Sequence, residues 1–365
     1  MSMLSRLIPT KRKPVFATLE TPHGERDTKE TIAELSRAVR NDPDAVEIYI
    51  ALGNLYRTQG DIERAVQLRN NLIARPGLNE EFRVRAFLEL GHDYRRGGFM
   101  DRALQSFERA RKLAGDTEEI LQSLAVLYAE VGNFIDASKL YGKLGHKIGQ
   151  SHYMVMHGEE LLALGRENEA KKAFNKALRI YKGSVEAWIA RFTLAAQKCE
   201  HRKCSSLLKD GLASITPSMR FLLLEHIYTS LDEYADSCGD EFATKLCNIV
   251  VEALDTQEPD IILQYYCARF YLYDGNIEEA NAWLAKTMVL NPNFWAARME
   301  LLSLAMNEQP LSPVFKNQLG FFVNQIGNVK RFVCSHCGIR RFETFYSCPK
   351  CRNWHTAAFR IYLQD

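Results

Sequence analysis

Two closely spaced cysteine pairs carry the clearest chemistry in this chain: Cys334-Ser335-His336-Cys337-Gly338 and, after ten intervening residues, Cys348-Pro349-Lys350-Cys351. A C-x-x-C pair makes a tight turn that aims two thiolates and several backbone N–H groups inward, so two such pairs predict one tetrahedral metal site. Gly338 suits the position after a knuckle, where a positive φ lets an amide turn toward sulfur. Pro349 stiffens the second turn. Four thiolates fill the tetrahedron and leave no open position, so the expected ion is structural, and zinc and iron both fit. A disulfide-stapled loop is the competing reading of the same cysteines. His336 and His355 flank the set, but four cysteines at this spacing take precedence as ligands.

Catalysis is not visible elsewhere. The chain has no G-x-S-x-G, H-E-x-x-H, P-loop or G-x-G-x-x-G pattern, and Gly142-Lys143-Leu144-Gly145 falls at a repeat boundary instead of cradling a phosphate. Its carboxylates are spread along helix faces, so the expectation is a protein that is not an enzyme. Net charge is +2 over 365 residues, which makes no whole-chain case for nucleic acid. From residue 330 to 365, however, seven Lys or Arg stand against Glu343 and Asp365, a local surplus of five.

The five other cysteines, Cys199, Cys204, Cys238, Cys247 and Cys267, are odd in number and lack framework spacing, which points to a reducing, cytoplasmic setting and to a role as core filler. Met1–Lys13 is too short and too soon basic for a signal peptide or a spanning helix. It reads as a frayed tail, with a weak interfacial anchor as the other possibility. No other run approaches the ~20 apolar residues that a crossing helix needs.

The elements that must position the metal module repeat every ~34–39 residues. A small residue recurs at Ala65, Ala103, Ala137, Ala170, Cys204, Ala243 and Ala280, and nine residues before each stand Tyr56, Tyr94, Tyr128, Leu161, Ala195, Tyr234 and Tyr271. Five residues before the small column lie Gly60, Gly98, Gly132, Gly165, Cys199, Cys238 and Gly275, the expected turns. Small residues let two antiparallel helices nest, and aromatic or Leu positions fill the layer between neighbouring units. With Phe87, Leu90, Gly91, Tyr94, Gly98, Ala103, Phe107 and Ala110, the second unit resembles the tetratricopeptide repeat. The expected fold is therefore all-α: a tetratricopeptide-repeat superhelix with a small C-terminal rubredoxin-like or zinc-ribbon metal module. The expected divisions are a flexible tail at 1–27, a solenoid of about seven repeats with capping helices at 28–328, and the module at 329–365. Unit six, about Ser218 to Glu258, departs furthest and predicts irregular packing. The short connection at Ile326-Gly327-Asn328-Val329-Lys330 predicts a module docked on the last helices.

First helices line the concave wall of such an array, where partners bind. In the first two units the inward positions are Asn54, Arg57, His92 and Arg95, a polar and basic set; units three to five offer Val126, Ala129, Leu162, Thr193 and Ala196. The alternative is that Arg57 and Arg95 pair with neighbouring acids such as Asp93.

Leu52-Gly53-Asn54-Leu55-Tyr56-Arg57, Leu90-Gly91-His92-Asp93-Tyr94 and the Tyr346-Ser347-Cys348-Pro349-x-Cys351-Arg352-x-Trp354 ending, taken together, resemble the lipopolysaccharide assembly protein B family. That resemblance implies a non-catalytic adaptor, cytoplasmic and at most peripheral to the inner membrane; the family's spanning helix is not found here, so either partners or Met1–Lys13 make the membrane contact or this branch has a different client. Its implied partners are a membrane-bound ATP-dependent protease and the lipid A deacetylase it degrades; self-association is left open. It also implies that Cys334, Cys337, Cys348 and Cys351 hold the metal. Two other classes compete: a general protein-interaction scaffold, and a nucleic-acid-binding ribbon in which Arg340, Arg341, Lys350 and Arg352 work with Phe342, Phe345, Tyr346 and Trp354. Electron transfer by a rubredoxin-like centre is a further alternative.

Overall fold

The computed structural model describes residues 25–41, 45–308, 310–327 and 329–362. Met1–Lys13, read above as tail or anchor, lies outside them, and helix already begins at Glu25, inside the span expected to be tail. The chain divides into two units. The first, through Leu127, holds α1 (Glu25–Asn41), α2 (Val46–Gln59), α3 (Ile62–Ile73), α4 (Glu80–Arg96), α5 (Met100–Ala114) and most of α6 (Glu118–Glu130). The second, from Tyr128, holds α7 (Phe134–Lys143), α8 (Lys147–Ala163), α9 (Glu167–Ile180), α10 (Val185–Ala196), α11 (His201–Ser214), α12 (Arg220–Thr229), α13 (Leu231–Cys238), α14 (Asp240–Asp255), α15 (Ile261–Tyr273), α16 (Ile277–Leu290), α17 (Trp295–Glu308) and α18 (Pro313–Gly327). Three short strands follow: β1 (Phe332–Cys334), β2 (Arg340–Arg341) and β3 (Ala357–Phe359).

One turn closes most helix pairs. Asp61, Phe99, Asn133, Arg166, Glu200 and Asn276 each donate a backbone N–H to the carbonyl five residues back, on Tyr56, Tyr94, Tyr128, Leu161, Ala195 and Tyr271. The intervening residue is left-handed, at φ 84° for Gly60 and 77° for Gly275, which is why glycine dominates there. Cys199 takes the same conformation at φ 57°. Asp61, Asn133 and Asn276 then cap the next helix by accepting from the N–H groups of Arg64, Asp136 and Glu279.

Nesting follows the small columns. Ala65, Ala103, Ala137, Ala170, Cys204 and Ala280 are wholly buried. Glycines one helix earlier make the same allowance: a Cβ on Gly91 would lie 2.4 Å from the Phe107 ring, and one on Gly158 2.4 Å from that of Phe174. In the first repeat the corresponding partner of Gly53 is not aromatic. It is Arg69, whose Cζ would stand 2.6 Å from an added Cβ.

Unit six is irregular, as its sequence predicts. Its first half is a 3-10 turn at Pro217–Met219 followed by α12 and α13, which meet at Ser230 instead of forming one helix. The left-handed turn moves from Cys238 to Gly239, at φ 92°. Cys238 is thereby placed opposite Cys199, and the two form a disulfide with Cα atoms 5.8 Å apart. Cys204, Cys247 and Cys267 are core filler as expected; Cys199 and Cys238 are not, because they occupy matching turns of adjacent repeats and face each other.

The strands form one antiparallel sheet in the order β2-β1-β3, with Phe332 opposite both Arg341 and Phe359. It meets the last helices, as expected, through Phe294 and Trp295, and it reaches further. Phe332, Ala357 and Phe359 belong to the same hydrophobic core as residues from α8 through α17.

Candidate functional site

Each cysteine knuckle is built by its own backbone. Gly338 N–H donates to Cys334 O at 2.9 Å and Arg352 N–H to Cys348 O at 2.8 Å, with the donor residue left-handed in both cases, at φ 69° and 58°. Glycine foretold the first; the second is made by an arginine. The four Sγ atoms lie within 4.8 Å of one another, with Cys334 to Cys351 at 3.7 Å and Cys337 to Cys348 at 3.6 Å. A tetrahedron of thiolates ~2.3 Å from a central ion has edges of ~3.8 Å, so the donor set fits zinc or iron.

Electrostatics agree with that fit. Burial alone would raise the Cys334 thiol, but Thr356 Oγ1 at 3.2 Å and the amides of Cys337 and His336 outweigh it and bring the group down to about 6. Desolvation is likewise outweighed at Cys348, where the amides of Cys351 and Lys350 hold the thiol below its usual range. At Cys351 the amide of Asn353 favours thiolate, yet burial and three neighbouring sulfurs push it up to about 11. All four could be thiolates together only with a cation between them. Thr356, which no cysteine spacing signals, orients the first of them.

The module grips the second unit at two ends. At one end Phe332 stacks on Phe221 at 5.9 Å between centroids, while Phe359 meets Tyr265 and Phe294 edge-on, each at 5.8 Å. Trp295 Nε1 donates to the Arg360 carbonyl at 2.8 Å. At the other end Trp354 sits among His146, His152, Tyr141 and Tyr153, nearest to His152 at 4.7 Å. Beside it the buried Glu186 accepts from His152 Nδ1 at 3.1 Å and faces His355 Nε2 at 3.7 Å. Desolvation opposes ionisation of Glu186, but the two imidazoles prevail and hold its carboxyl at about 2. His355 is thus turned toward the repeats, and His336 is exposed.

These contacts use most of the aromatics that a base-stacking ribbon would need. Trp354 is enclosed, Tyr346 and Phe345 are half-buried against the core, and only Phe342, at 55% exposure, is open.

In the first unit, Arg57 Nη1 donates to Glu89 Oε2 and to Asp93 Oδ1, both at 2.8 Å, and Nη2 to Asn54 Oδ1 at 3.1 Å. Ion pairing with Asp93 therefore holds for Arg57. Arg69, fully buried, completes the network through Asp93 Oδ2 at 3.3 Å and the carbonyl of Ile50 at 3.0 Å. Burial works against both charges of that pair, lowering Arg69 and raising Asp93 from their ordinary values. His92 touches Phe107 edge-on at 5.1 Å and faces Ser123 Oγ at 3.5 Å; desolvation brings it down to about 4.

Among the described residues no helix is long and apolar enough to cross a membrane. The tetratricopeptide-repeat family model matches residues 46–68 and 151–183. Lipopolysaccharide assembly protein B of Escherichia coli strain K12 is 23% identical over 332 residues, covering 87% of this chain and 82% of that protein. Among solved structures, a tetratricopeptide repeat protein from Parabacteroides merdae is 19% identical, covers 72% of this chain and 98% of its own, and has a TM-score of 0.36. The C-terminal part of a repeat protein from Cytophaga hutchinsonii is 13% identical over 74% and 93% of the two chains, with a TM-score of 0.35. The chain is built of paired helices with tetratricopeptide-repeat matches at 46–68 and 151–183 and a C-terminal four-cysteine module, and it resembles lipopolysaccharide assembly protein B over most of its length.

Proposed function

We infer that this protein is a non-catalytic adaptor in the control of lipopolysaccharide synthesis, holding a protein client on its repeats. The observation that carries this reading is the match to lipopolysaccharide assembly protein B through 87% of the chain, joined to paired helices of the kind that bind proteins. In its finer form the client is the lipid A deacetylase and the recipient a membrane-bound ATP-dependent protease, met at the cytoplasmic face of the inner membrane. Cys334, Cys337, Cys348 and Cys351 hold one structural zinc or iron ion, which fixes the module against the second unit. We keep the division into tail (1–27), repeats (28–328) and module (329–365). Asn54, Arg57, His92 and Arg95 remain the proposed partner-binding set, with Arg57 held by Glu89, Asp93 and Asn54 in the free chain.

Affinity capture of the full chain from cells with membranes intact tests this. Recovery of the protease with the deacetylase supports the finer reading. Recovery of other proteins reduces it to a general scaffold, and recovery of nucleic acid alone removes it.

A further inference from the structure

Between the C-terminal turn of α9, the outer face of α10 and the end of α11, the second unit opens a cleft of about 490 Å³. Leu178, Trp188 and Ala213 line it, with Arg179, Lys182 and Arg191 at its sides. Trp188 is fixed there, because its indole Nε1 donates to the Lys182 carbonyl at 2.8 Å. The Arg191 guanidinium stands 5.9 Å from the centre of that ring. Arg179 Nε donates to the Asn175 carbonyl at 3.4 Å, which leaves its charge uncompensated. The one acid lining the cleft is Asp210, which accepts from Ser206 Oγ at 3.5 Å.

A second hollow shares Asn175 and Arg191 with the first and continues toward Lys171 and Lys203. There carboxylates partly offset the cations: Glu167 pairs with both Lys171 and Lys198 at 2.6 Å, and Glu200 with Lys203 at 2.9 Å. The groove is therefore cationic along its length, partly offset by Glu167 and Glu200 at one end and open over an apolar floor at the other.

We propose that this groove receives an extended acidic segment of a protein client, with carboxylates at Arg179, Lys182 and Arg191 and an apolar side chain over Trp188. It rests on the adaptor reading only in taking the occupant to be a protein. A peptide suits the groove because alternate side chains can meet a charged rim and an apolar floor. Nucleic acid suits it less, because Trp188 is the one aromatic ring among the described residues lining the cleft and successive bases find no row of faces on which to stack.

Fluorescence anisotropy of the full chain with a short labelled peptide of alternating Glu and Leu reads this, with the matching Lys peptide and a single-stranded oligonucleotide as competitors. The Glu peptide is expected to bind and the Lys peptide not, and Arg179→Glu with Lys182→Glu and Arg191→Glu to weaken binding by at least about tenfold. Lys171→Gln with Lys203→Gln is expected to change it by less than about threefold, since those lysines already face carboxylates. If the triple variant loses helical content, Arg179→Gln with Arg191→Gln replaces it, with the same direction expected. Unchanged affinity in the folded variant, no binding of the Glu peptide, or tighter binding of the oligonucleotide overturns the proposal. The adaptor reading fails separately, when the wild-type chain captures no protein from cells although the peptide still binds.

Discussion

Arg69 Nε donates to Asp93 Oδ2 at 3.3 Å with both side chains wholly withdrawn from water, and Gly53 leaves the space in which that guanidinium lies. Removing one member strands a buried charge, so Arg69→Ala should cost about 3–5 kcal/mol of first-unit stability. Gly53→Ala should act in the same direction by displacing the guanidinium. Urea unfolding followed by hydrogen exchange in α2 to α4 measures both. Loss below about 1 kcal/mol in Arg69→Ala would mean that the pair is hydrated and cheap to break.

The second prediction concerns acid. The folded first unit keeps His92 neutral down to about 4, whereas an unfolded histidine takes its proton near ~6.5. The unfolded chain therefore binds more protons between these values. The stability contributed is fully present above pH ~6.5 and is lost as pH falls toward 4, by on the order of 1–2 kcal/mol after allowance for partial exposure. His92→Gln should flatten that slope in α4 hydrogen exchange. A slope that survives the substitution would assign it elsewhere.

Metal loss should reach beyond the module. Cys348→Ser is expected to abolish binding of one zinc or iron equivalent and to lower the melting temperature of the second unit, because Phe332 and Phe359 lie in the common core. Metal analysis with thermal melting by circular dichroism checks this. Helices that melt unchanged without metal would show that the module is an appendage.

Trp354→Ala removes the contact with His146, His152, Tyr141 and Tyr153 while leaving all four cysteines in place. We expect a loss of about 2–4 kcal/mol and faster exchange in α7 and α8, with metal content kept. Equal metal loss in this variant would make docking a condition of ligation.

Reducing the Cys199–Cys238 disulfide, which spans 39 residues, should lower second-unit stability by up to about 4 kcal/mol through the entropy returned to the unfolded chain. Cys238→Ser should reproduce the effect and remove the response to reductant. Equal urea midpoints with and without reductant would argue against a bond in solution.

The repeat columns made the helices legible because they encode purely local demands: a small side chain where helices nest and a left-handed residue at each turn. The cysteine knuckles were legible for the same reason. What escaped was long-range. Nothing near Glu186 in sequence marks it as the carboxylate facing His152 and His355, and Cys199 and Cys238 looked like two more small residues until the register slipped at Gly239. Arg69 had a faint signal, since it stands sixteen residues after Gly53 as Phe107 does after Gly91 and Phe174 after Gly158. A charge in an aromatic column marks a buried network. Arg57 could be placed on its face by spacing, but not matched to its acids.

Phe332, Ala357 and Phe359 leave the ribosome after every helix whose core they complete. The face of α12, α15 and α17 that Phe332 and Phe359 cover therefore stays open until the last segment arrives, while the first unit can finish early. If an ion closes the module, its supply should set how long nascent chains expose Phe221, Tyr265 and Phe294, and metal starvation should shorten the lifetime of this protein.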